Sequence, residues 1–266
     1  MAAGVAESQA IAPDMSHSYD EYLASGLYDR RYPAPNRRTL RRVLRLMPAD
    51  GRFVDFGAGT GRYTLPLLQH TSATGVAYDV CPTACRMLSE RLATFIGGER
   101  LSVRNADAAA LAKSFPRGFD LALLAFGVLA HIAGRKERAA VLASIREILK
   151  PDGVLVLSLP NARRRFHAEQ RAAAPMVRDG DLEPGDVLYA RRSEAGSIEM
   201  FYHLFSPAEA RDELSTAGFR IESVEAESLL PETAVVGNSL LGKLDDLACA
   251  VAPAAVGYGF LIVARP

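Results

Sequence analysis

Short apolar runs alternate along most of the chain with segments whose apolar residues recur every three or four positions, which indicates strands alternating with helices. The predicted strands are Arg52–Phe56, Thr74–Asp79, Leu101–Asn105, Phe119–Ala125, Val154–Leu159, Phe219–Ala226 and Gly259–Ala264. The predicted helices are Thr39–Leu46, Thr64–His70, Pro82–Ile96, Arg135–Leu149 and Pro207–Ala217. This order predicts an α/β fold in which crossover helices cover both faces of a mainly parallel sheet.

Two segments are longer than such a fold requires. Residues 160–200 are charged and poorly periodic, and we expect them to form a lid over a substrate. Residues 229–255 carry apolar side chains at helical spacing and predict an extra amphipathic helix. That helix would cover the pocket, form a homodimer contact or lie along the sheet edge. The apolar side chains are Leu240, Leu241, Leu244, Leu247 and Val251.

The chain divides into three predicted parts. Residues 1–18 form a flexible leader, residues 19–50 a helical cap, and residues 51–266 the α/β domain with both insertions. The leader has no basic start and no apolar core, so no secretory signal is expected. Residues 247–264 form an uncharged run, but proline and glycine interrupt it, and we predict a helix end followed by a strand rather than a membrane span.

Charge and cysteine content narrow the function classes. The sequence has 31 basic and 31 acidic side chains, so it lacks the overall positive field of proteins that grip nucleic acid nonspecifically. Arginines nevertheless cluster at Arg30–Arg45, Arg163–Arg165 and Arg191–Arg192. These clusters are either solvated helix faces or contacts to an anionic substrate, RNA included. Three cysteines without metal-ligand spacing predict free thiols, a cytoplasmic location and no metal site.

A glycine-rich loop follows the first predicted strand. It contains Gly57, Gly59 and Gly61, and Arg62 stands where a dinucleotide-binding G-x-G-x-x-G loop would have its last glycine. A glycine loop between a strand and a helix brings backbone amides close to the polar part of a ligand. With Asp55 two residues before the first glycine, the loop resembles motif I of the class I S-adenosylmethionine-dependent methyltransferases.

This resemblance implies a Rossmann-like seven-stranded sheet whose last strand is antiparallel, with S-adenosylmethionine as the cofactor. It implies that Asp55 helps to position the methionyl ammonium, directly or through water, and that Asp107, after the third strand, meets the adenine. Phe126 would line the cofactor wall. Asp79 lies 24 residues after Asp55, close to the offset of about 20 residues at which an acid reaches a ribose diol in related folds.

Three further strings resemble the branch that includes the tRNA wobble-uridine carboxymethyl methyltransferases. They are Tyr28–Asp29–Arg30–Arg31–Tyr32, Val128–Leu129–Ala130–His131–Ile132 and Phe201–Tyr202–His203–Leu204–Phe205. The first string adds Tyr28 and Arg31 to the predicted cofactor contacts. The other two supply the candidate catalytic residues: His131 and His203 as a base, with Tyr202 beside it at the pocket mouth.

Aromatic side chains before the first strand have a candidate role of their own. Tyr19, Tyr22, Tyr28 and Tyr32 could close over a sulfonium, because aromatic faces favour a cation, or they could be ordinary packing.

Four functions are therefore weighed. The neutral charge and the two insertions favour a methyltransferase acting on an O, N or C atom of a small, partly apolar or anionic molecule. A tRNA-modifying enzyme of the same fold is the alternative, and the neutral charge weighs against it because tRNA binding depends on many phosphate contacts. A non-catalytic S-adenosylmethionine-binding module is the third reading, and a nicotinamide oxidoreductase is the fourth.

Overall fold

A seven-stranded sheet forms the centre of the protein. The computed structural model describes residues 12–107, 110, 113–115, 117–194 and 196–266. The strands of the sheet are β1 (Arg52–Phe56), β2 (Thr74–Asp79), β3 (Leu101–Asn105), β4 (Phe119–Leu124), β5 (Leu149–Pro160), β8 (Arg220–Ser228) and β9 (Gly259–Arg265). Their order is β3-β2-β1-β4-β5-β9-β8, and only β9 runs antiparallel to its neighbours. The predicted fold class and the antiparallel last strand are confirmed.

Helices pack on both faces of this sheet, because the buried strands carry apolar side chains in both directions. The helices are α1 (Met15–Ala24), α2 (Leu27–Arg31), α3 (Arg37–Leu46), α4 (Thr64–His70), α5 (Pro82–Ala93), α6 (Arg135–Ile148), α7 (His167–Asp179), α8 (Pro207–Thr216), α9 (Glu232–Gly237) and α10 (Ser239–Cys249). One buried core lies between the sheet and α6 and α8, and the other between the sheet and α3, α4 and α5.

Helix α1 begins inside the predicted leader. Asp14 caps it by accepting the backbone N–H of Ser16, and the side chain of Ser18 is buried. The flexible leader therefore cannot extend to residue 18, and residues 1–11 lie outside the described part of the chain. Helices α1 to α3 occupy most of the predicted cap.

The segment 160–200 holds regular structure rather than a long loop. After α7, strand β6 (Asp186–Ser193) pairs antiparallel with β7 (Gly196–His203), from Asp186 opposite His203 to Ser193 opposite Gly196. The buried Ile198 and Met200 of β7 pack against Tyr22 and Leu23 of α1. The hairpin and α1 thus cover the end of the sheet together.

The segment 229–255 forms α9 and α10, and of the predicted placements the structure shows the one along the sheet edge. Helix α10 packs beside α3 and the edge strand β8. The Asp245 carboxylate accepts the backbone N–H groups of Leu229 and Leu230, each at 3.0 Å. The exposed apolar side chains do not line the cleft described below, so the alternative in which this helix covers the pocket is wrong. The exposed stripe consists of Leu240, Leu244, Leu247 and Val251.

The uncharged run at residues 247–264 divides as predicted. Helix α10 ends at Cys249, and β9 begins at Gly259. Among the described residues, no helix is both long enough and apolar enough to cross a bilayer. All three cysteines are buried and free.

Candidate active site

A cleft opens at the carboxyl ends of β1, β2 and β4, where the strand order reverses direction around β1. In open α/β sheets this switch point is where ligands bind. The cleft encloses about 840 Å³ of empty space, part of it open to solvent. Helices α1 and α2 cover it. Its lining is Met15, Tyr19, Leu23, Tyr28, Phe56, Gly57, Gly59, Tyr78, Asp79, Val80, Cys81, Ala84, Ala125, Phe126, Val128, His131 and Ile132.

The three glycines of the loop after β1 have different surroundings. All have positive φ, which favours glycine. A β-carbon on Gly57 would lie 2.5 Å from Val128, and one on Gly61 would lie 2.6 Å from Leu88. A β-carbon on Gly59 would meet no atom within 4 Å. Gly59 therefore leaves open space in the cleft, whereas Gly61 permits close packing with α5 and does not line the cleft.

Asp79 lies in the cleft, at the position predicted for a ribose contact. One carboxylate oxygen accepts the backbone N–H of Gly59 at 2.8 Å, and the other accepts that of Cys81 at 2.9 Å. Burial raises the pKa of this carboxyl above its usual value, and the two hydrogen bonds oppose the rise. Asp79 consequently holds the glycine loop and the start of α5 together beside the open space at Gly59.

Asp55 is buried and does not line the cleft. Its carboxylate accepts the hydroxyl of Thr64, and burial raises its pKa to about 7. In this structure the side chain joins β1 to α4, so the predicted direct role toward a methionyl ammonium is not supported by its position. The acid two residues before the loop is instead turned into the protein.

Asp107 and Arg31 are also outside the cleft lining. Asp107 is exposed and accepts the backbone N–H of Ala110 at 2.9 Å, as a local cap would. Arg31 is exposed, with its guanidinium carbon 5.8 Å from the ring centroid of Tyr32. Their predicted cofactor contacts thus have no counterpart in the lining, whereas Tyr28 and Phe126 do line the cleft.

Phe126 stands between the cleft and the interior of the cap. Its backbone φ is +62°, a left-handed conformation that a bulky residue adopts only at a cost. The ring centroid lies 4.4 Å from the guanidinium carbon of Arg62 and 4.6 Å from the ring of Tyr32. Arg62 in turn donates to Glu232 of α9 at 2.7 Å. Arg62 therefore couples the glycine loop to the C-terminal insertion, a role that the sequence did not reveal.

His131 faces Tyr19 inside the cleft. The backbone carbonyl of Phe201 accepts from Nδ1 at 2.9 Å, so Nδ1 carries the proton of a neutral ring. Nε2 then accepts the hydroxyl of Tyr19 at 2.7 Å. Burial is the main cause that lowers the pKa of His131 to about 4, and the charges of Arg165 and Arg191 add to it. At neutral pH this histidine is uncharged and presents a lone pair toward Tyr19.

His203 is not at the pocket mouth, which corrects the prediction. It is fully buried, with Nδ1 2.6 Å from Asp186 and Nε2 3.1 Å from Glu209. These two carboxylates raise its pKa against the opposing effect of burial. A charged imidazole that donates to two carboxylates has no free lone pair, so His203 cannot accept a proton here.

His203 and its two carboxylate partners belong to a larger buried ionic network below the β6–β7 hairpin. Arg138 is 1% exposed and contacts Glu213 at 2.6 Å and Glu183 at 2.9 Å. The clustered acids are thus partnered by Arg138 and His203, and this arrangement ties α6 and α8 to the start of β6. We regard the network as structural.

Tyr202 lines a second, smaller cavity beside the cleft. This cavity has an empty volume of about 290 Å³ and lies at the carboxyl ends of β4, β5 and β8. The Tyr202 ring is 4.5 Å from the ring of His131, and Phe126 belongs to both linings. The lining is Phe126, Gly127, Ser158, Leu159, Pro160, Arg165, Tyr202, Glu227, Ser228, Glu232, Tyr258 and Gly259.

Comparison with known proteins agrees with this geometry. The family whose model matches residues 28–224 is described as a methyltransferase domain. A curated relative, the indolepyruvate C-methyltransferase of Streptomyces griseus, is 34% identical over 110 residues, which are 41% of this chain and 32% of that protein. The match therefore spans about a third of the relative's length.

Several solved structures share the fold. A methyltransferase from Methanosarcina mazei has a TM-score of 0.65 at 20% identity, covering 84% of this chain and 96% of its own. The CcbJ methyltransferase of Streptomyces caelestis has a TM-score of 0.63 at 19% identity, with 86% and 94% covered. The 1,6-didemethyltoxoflavin-N1-methyltransferase of Burkholderia thailandensis, solved with its substrate and S-adenosylhomocysteine, has a TM-score of 0.58 at 20% identity, with 94% and 88% covered.

Proposed function

The chain belongs to the S-adenosylmethionine-dependent methyltransferases, and we propose that it methylates a small molecule held next to the cleft, between His131 and the β6–β7 hairpin. The prediction of the enzyme class and of its cofactor from the glycine loop is thereby confirmed. The observation that carries the proposal is the composition of one cleft. It places Gly59 and Asp79 at one part of its lining and the Tyr19–His131 pair at another.

The residues present fit the cofactor. Gly59 leaves space where any side chain would intrude, and the Asp79 carboxylate borders that space with lone pairs that can accept a diol. The cleft is concave and its lining is mainly apolar with a few polar groups, as is typical of small-molecule sites. We propose that Tyr28 and Phe126 provide the aromatic wall, because aromatic faces stabilise a positively charged sulfur.

The acceptor's proton has a route within the cleft. Bound S-adenosylmethionine supplies an electrophilic methyl group on a sulfonium, and catalysis is then largely a matter of alignment in dry surroundings. We assign His131 as the base. As the acceptor gives its proton to the hydroxyl oxygen of Tyr19, the hydroxyl proton of Tyr19 passes to Nε2 of His131, which its Nδ1 bond holds in place.

The ion pairs made by arginines of the basic segment Arg30–Arg45 favour a small acceptor over RNA. Arg38 and Arg42 lie 2.9 and 3.2 Å from Glu225, and Arg41 lies 2.5 Å from Asp246. These ion pairs remove part of the positive field that phosphate binding requires. The indolepyruvate relative and the toxoflavin enzyme, both named for small molecules, support the same choice. The free, buried cysteines suit the cytoplasmic location that we propose.

Cofactor binding tests the first half of the proposal. S-adenosylhomocysteine is titrated calorimetrically into the wild-type protein, Gly59→Val and Gly180→Val. Gly180 is the matched control, because it also has positive φ and open space around its missing β-carbon but lies outside the cleft. We expect Gly59→Val to lose at least about tenfold in affinity, or 1.4 kcal/mol, and Gly180→Val to bind as the wild type does. Equal affinities in all three proteins would contradict the cofactor site.

Turnover tests the second half. S-adenosylhomocysteine release is measured with a metabolite fraction of low molecular weight and, separately, with bulk tRNA. We expect release only with the metabolite fraction, unaffected by ribonuclease treatment. Release with tRNA that disappears on ribonuclease treatment would favour the tRNA-modifying alternative, and release with neither would favour the non-catalytic module.

A further inference from the structure

Arg165 of the second cavity has an unusual environment. Its guanidinium carbon lies 4.8 Å from the ring centroid of Tyr258, 5.2 Å from that of Tyr202 and 5.4 Å from that of Phe166. Its Nε is buried and has no hydrogen-bond partner. Among the residues that the structure describes, no carboxylate forms a salt bridge with it. A partly buried cation whose Nε has neither a hydrogen-bond partner nor a counter-charge is costly, and it calls for a ligand that supplies one.

The two acids of the cavity do not supply that charge. Glu232 is already committed, because it accepts from Arg62 at 2.7 Å and from the Asn36 amide at 3.1 Å. Glu227 is buried against the Thr39 hydroxyl, and burial raises its pKa to about 8. At neutral pH Glu227 is therefore mainly protonated, and the charge of Arg165 remains uncompensated within the cavity.

We propose that this cavity is the acceptor site and that Arg165 binds a carboxylate group of the acceptor, a specificity that rests on the proposed function. A guanidinium offers two parallel N–H groups that match a carboxylate, and the aromatic neighbours fix its plane. The substrate class is a small carboxylic acid with a flat apolar part, which the rings of Tyr202, Tyr258 and Phe126 flank.

The position of the cavity suits this role. Phe126 lines both the cavity and the cofactor cleft, and the ring of His131 in the cleft lies 4.5 Å from the ring of Tyr202 in the cavity. An acid anchored on Arg165 would thus extend its far end toward His131. The empty space beside Arg165, about 290 Å³ with part of it open to solvent, is too small for a macromolecular group.

Charge coupling adds a functional consequence. The positive charge of Arg165 contributes to the low pKa of His131. A carboxylate that neutralises Arg165 would raise the pKa of His131 and make it a better base when the acceptor is in place. The acceptor itself would then help to switch on the group that removes its proton.

The test compares acids with their uncharged amides. Indole-3-acetate and benzoate, with indole-3-acetamide and benzamide as partners, are titrated calorimetrically into protein saturated with S-adenosylhomocysteine. The variants are Arg165→Gln, Arg165→Lys and the control Arg163→Gln, whose exposed side chain is two residues away. Thermal melts and S-adenosylhomocysteine affinity show that each variant is folded with an intact cofactor site.

We expect the wild type to bind at least one acid about tenfold or more tightly than its amide. Arg165→Gln should abolish that preference, Arg165→Lys should keep part of it, and Arg163→Gln should leave it unchanged. In the histidine signals of nuclear magnetic resonance spectra, Arg165→Gln should also raise the pKa of His131. Acid and amide binding equally to the wild type, no binding of either acid, or an undiminished preference in Arg165→Gln would overturn the proposal.

Failure of this proposal can be distinguished from failure of the proposed function. A wild-type protein that fails to bind S-adenosylhomocysteine would contradict the cofactor site. The same acid and amide comparison on the protein alone would then still decide whether Arg165 selects carboxylates.

Discussion

Gly57 gives the sharpest test of how the cleft is built. A β-carbon at this position would lie 2.5 and 2.6 Å from the two γ-carbons of Val128, and the backbone φ is +73°. The left-handed backbone costs a residue with a side chain about 1–2 kcal/mol, and overpacking costs about 1–3 kcal/mol more. We therefore expect Gly57→Ala to lower the free energy of unfolding by about 2–5 kcal/mol, the sum of the two costs.

A double-mutant cycle separates the two costs. Val128→Ala removes both γ-carbons and leaves only the β-carbon, 3.1 Å from the added methyl group. In that background Gly57→Ala should cost about 1–2 kcal/mol, mainly the backbone part, because the remaining contact is relieved by a small shift of the β-carbon. The coupling free energy between the two substitutions is then about 1–3 kcal/mol.

The assay is urea unfolding of the four proteins without cofactor, followed by circular dichroism under one set of conditions. Each free energy comes from linear extrapolation to zero denaturant. A coupling below about 0.5 kcal/mol, the usual limit of additivity, would refute the close approach of the glycine loop to the turn after β4.

Three further outcomes follow from the contacts of single side chains. Tyr19→Phe removes the hydroxyl between the acceptor and His131, so turnover should fall at least about tenfold while calorimetric S-adenosylhomocysteine affinity stays unchanged; unchanged turnover would contradict the proton route. Arg138→Met leaves the buried carboxylate of Glu213 without its cation and should cost about 3–5 kcal/mol in urea unfolding, and a loss below about 1 kcal/mol would show that the network does not stabilise the fold. The folded-state pKa of His203 is raised, so its stabilisation is complete below the unfolded value near 6.5 and disappears as pH rises through the folded value. The difference in unfolding free energy between the wild type and His203→Gln should therefore shrink from pH 6 upward, and a constant difference would rule out a charged His203.

The strands were predictable because their signals are local. The bounds of β1, β2 and β3 are those predicted, since each apolar run ends at a turn or a polar residue. Strand β5 is longer than predicted, because its first residue, Leu149, pairs with Phe119 before a register shift. Local pattern cannot show such an irregularity.

The misplacement of His203 has a specific cause. Tyr202 and His203 are adjacent in a strand, and adjacent side chains in a strand point to opposite faces. Tyr202 therefore lines the cavity while His203 faces the acids below the hairpin. The alternation of Ile198 and Met200 with Ser197 and Glu199 at the start of β7 was the available signal for this strand.

Other site features depend on contacts between distant parts of the chain. The Tyr19–His131 bond joins residues 112 positions apart, and the carbonyl that orients His131 is 70 positions away. The lone guanidinium of Arg165 is recognisable only once the partners of every nearby acid are known. Spacing along the sequence contains none of this information.

The two sides of helix α10 have different roles. Its inward side holds Asp245, which accepts two backbone N–H groups and fixes the helix to the fold. Leu240, Leu244 and Leu247 on the outward side are 67%, 56% and 72% exposed, so exchanging them for polar side chains should change stability by less than about 0.5 kcal/mol. That outward side is therefore the natural place to attach a fluorescent label or a tether to a solid support without disturbing catalysis.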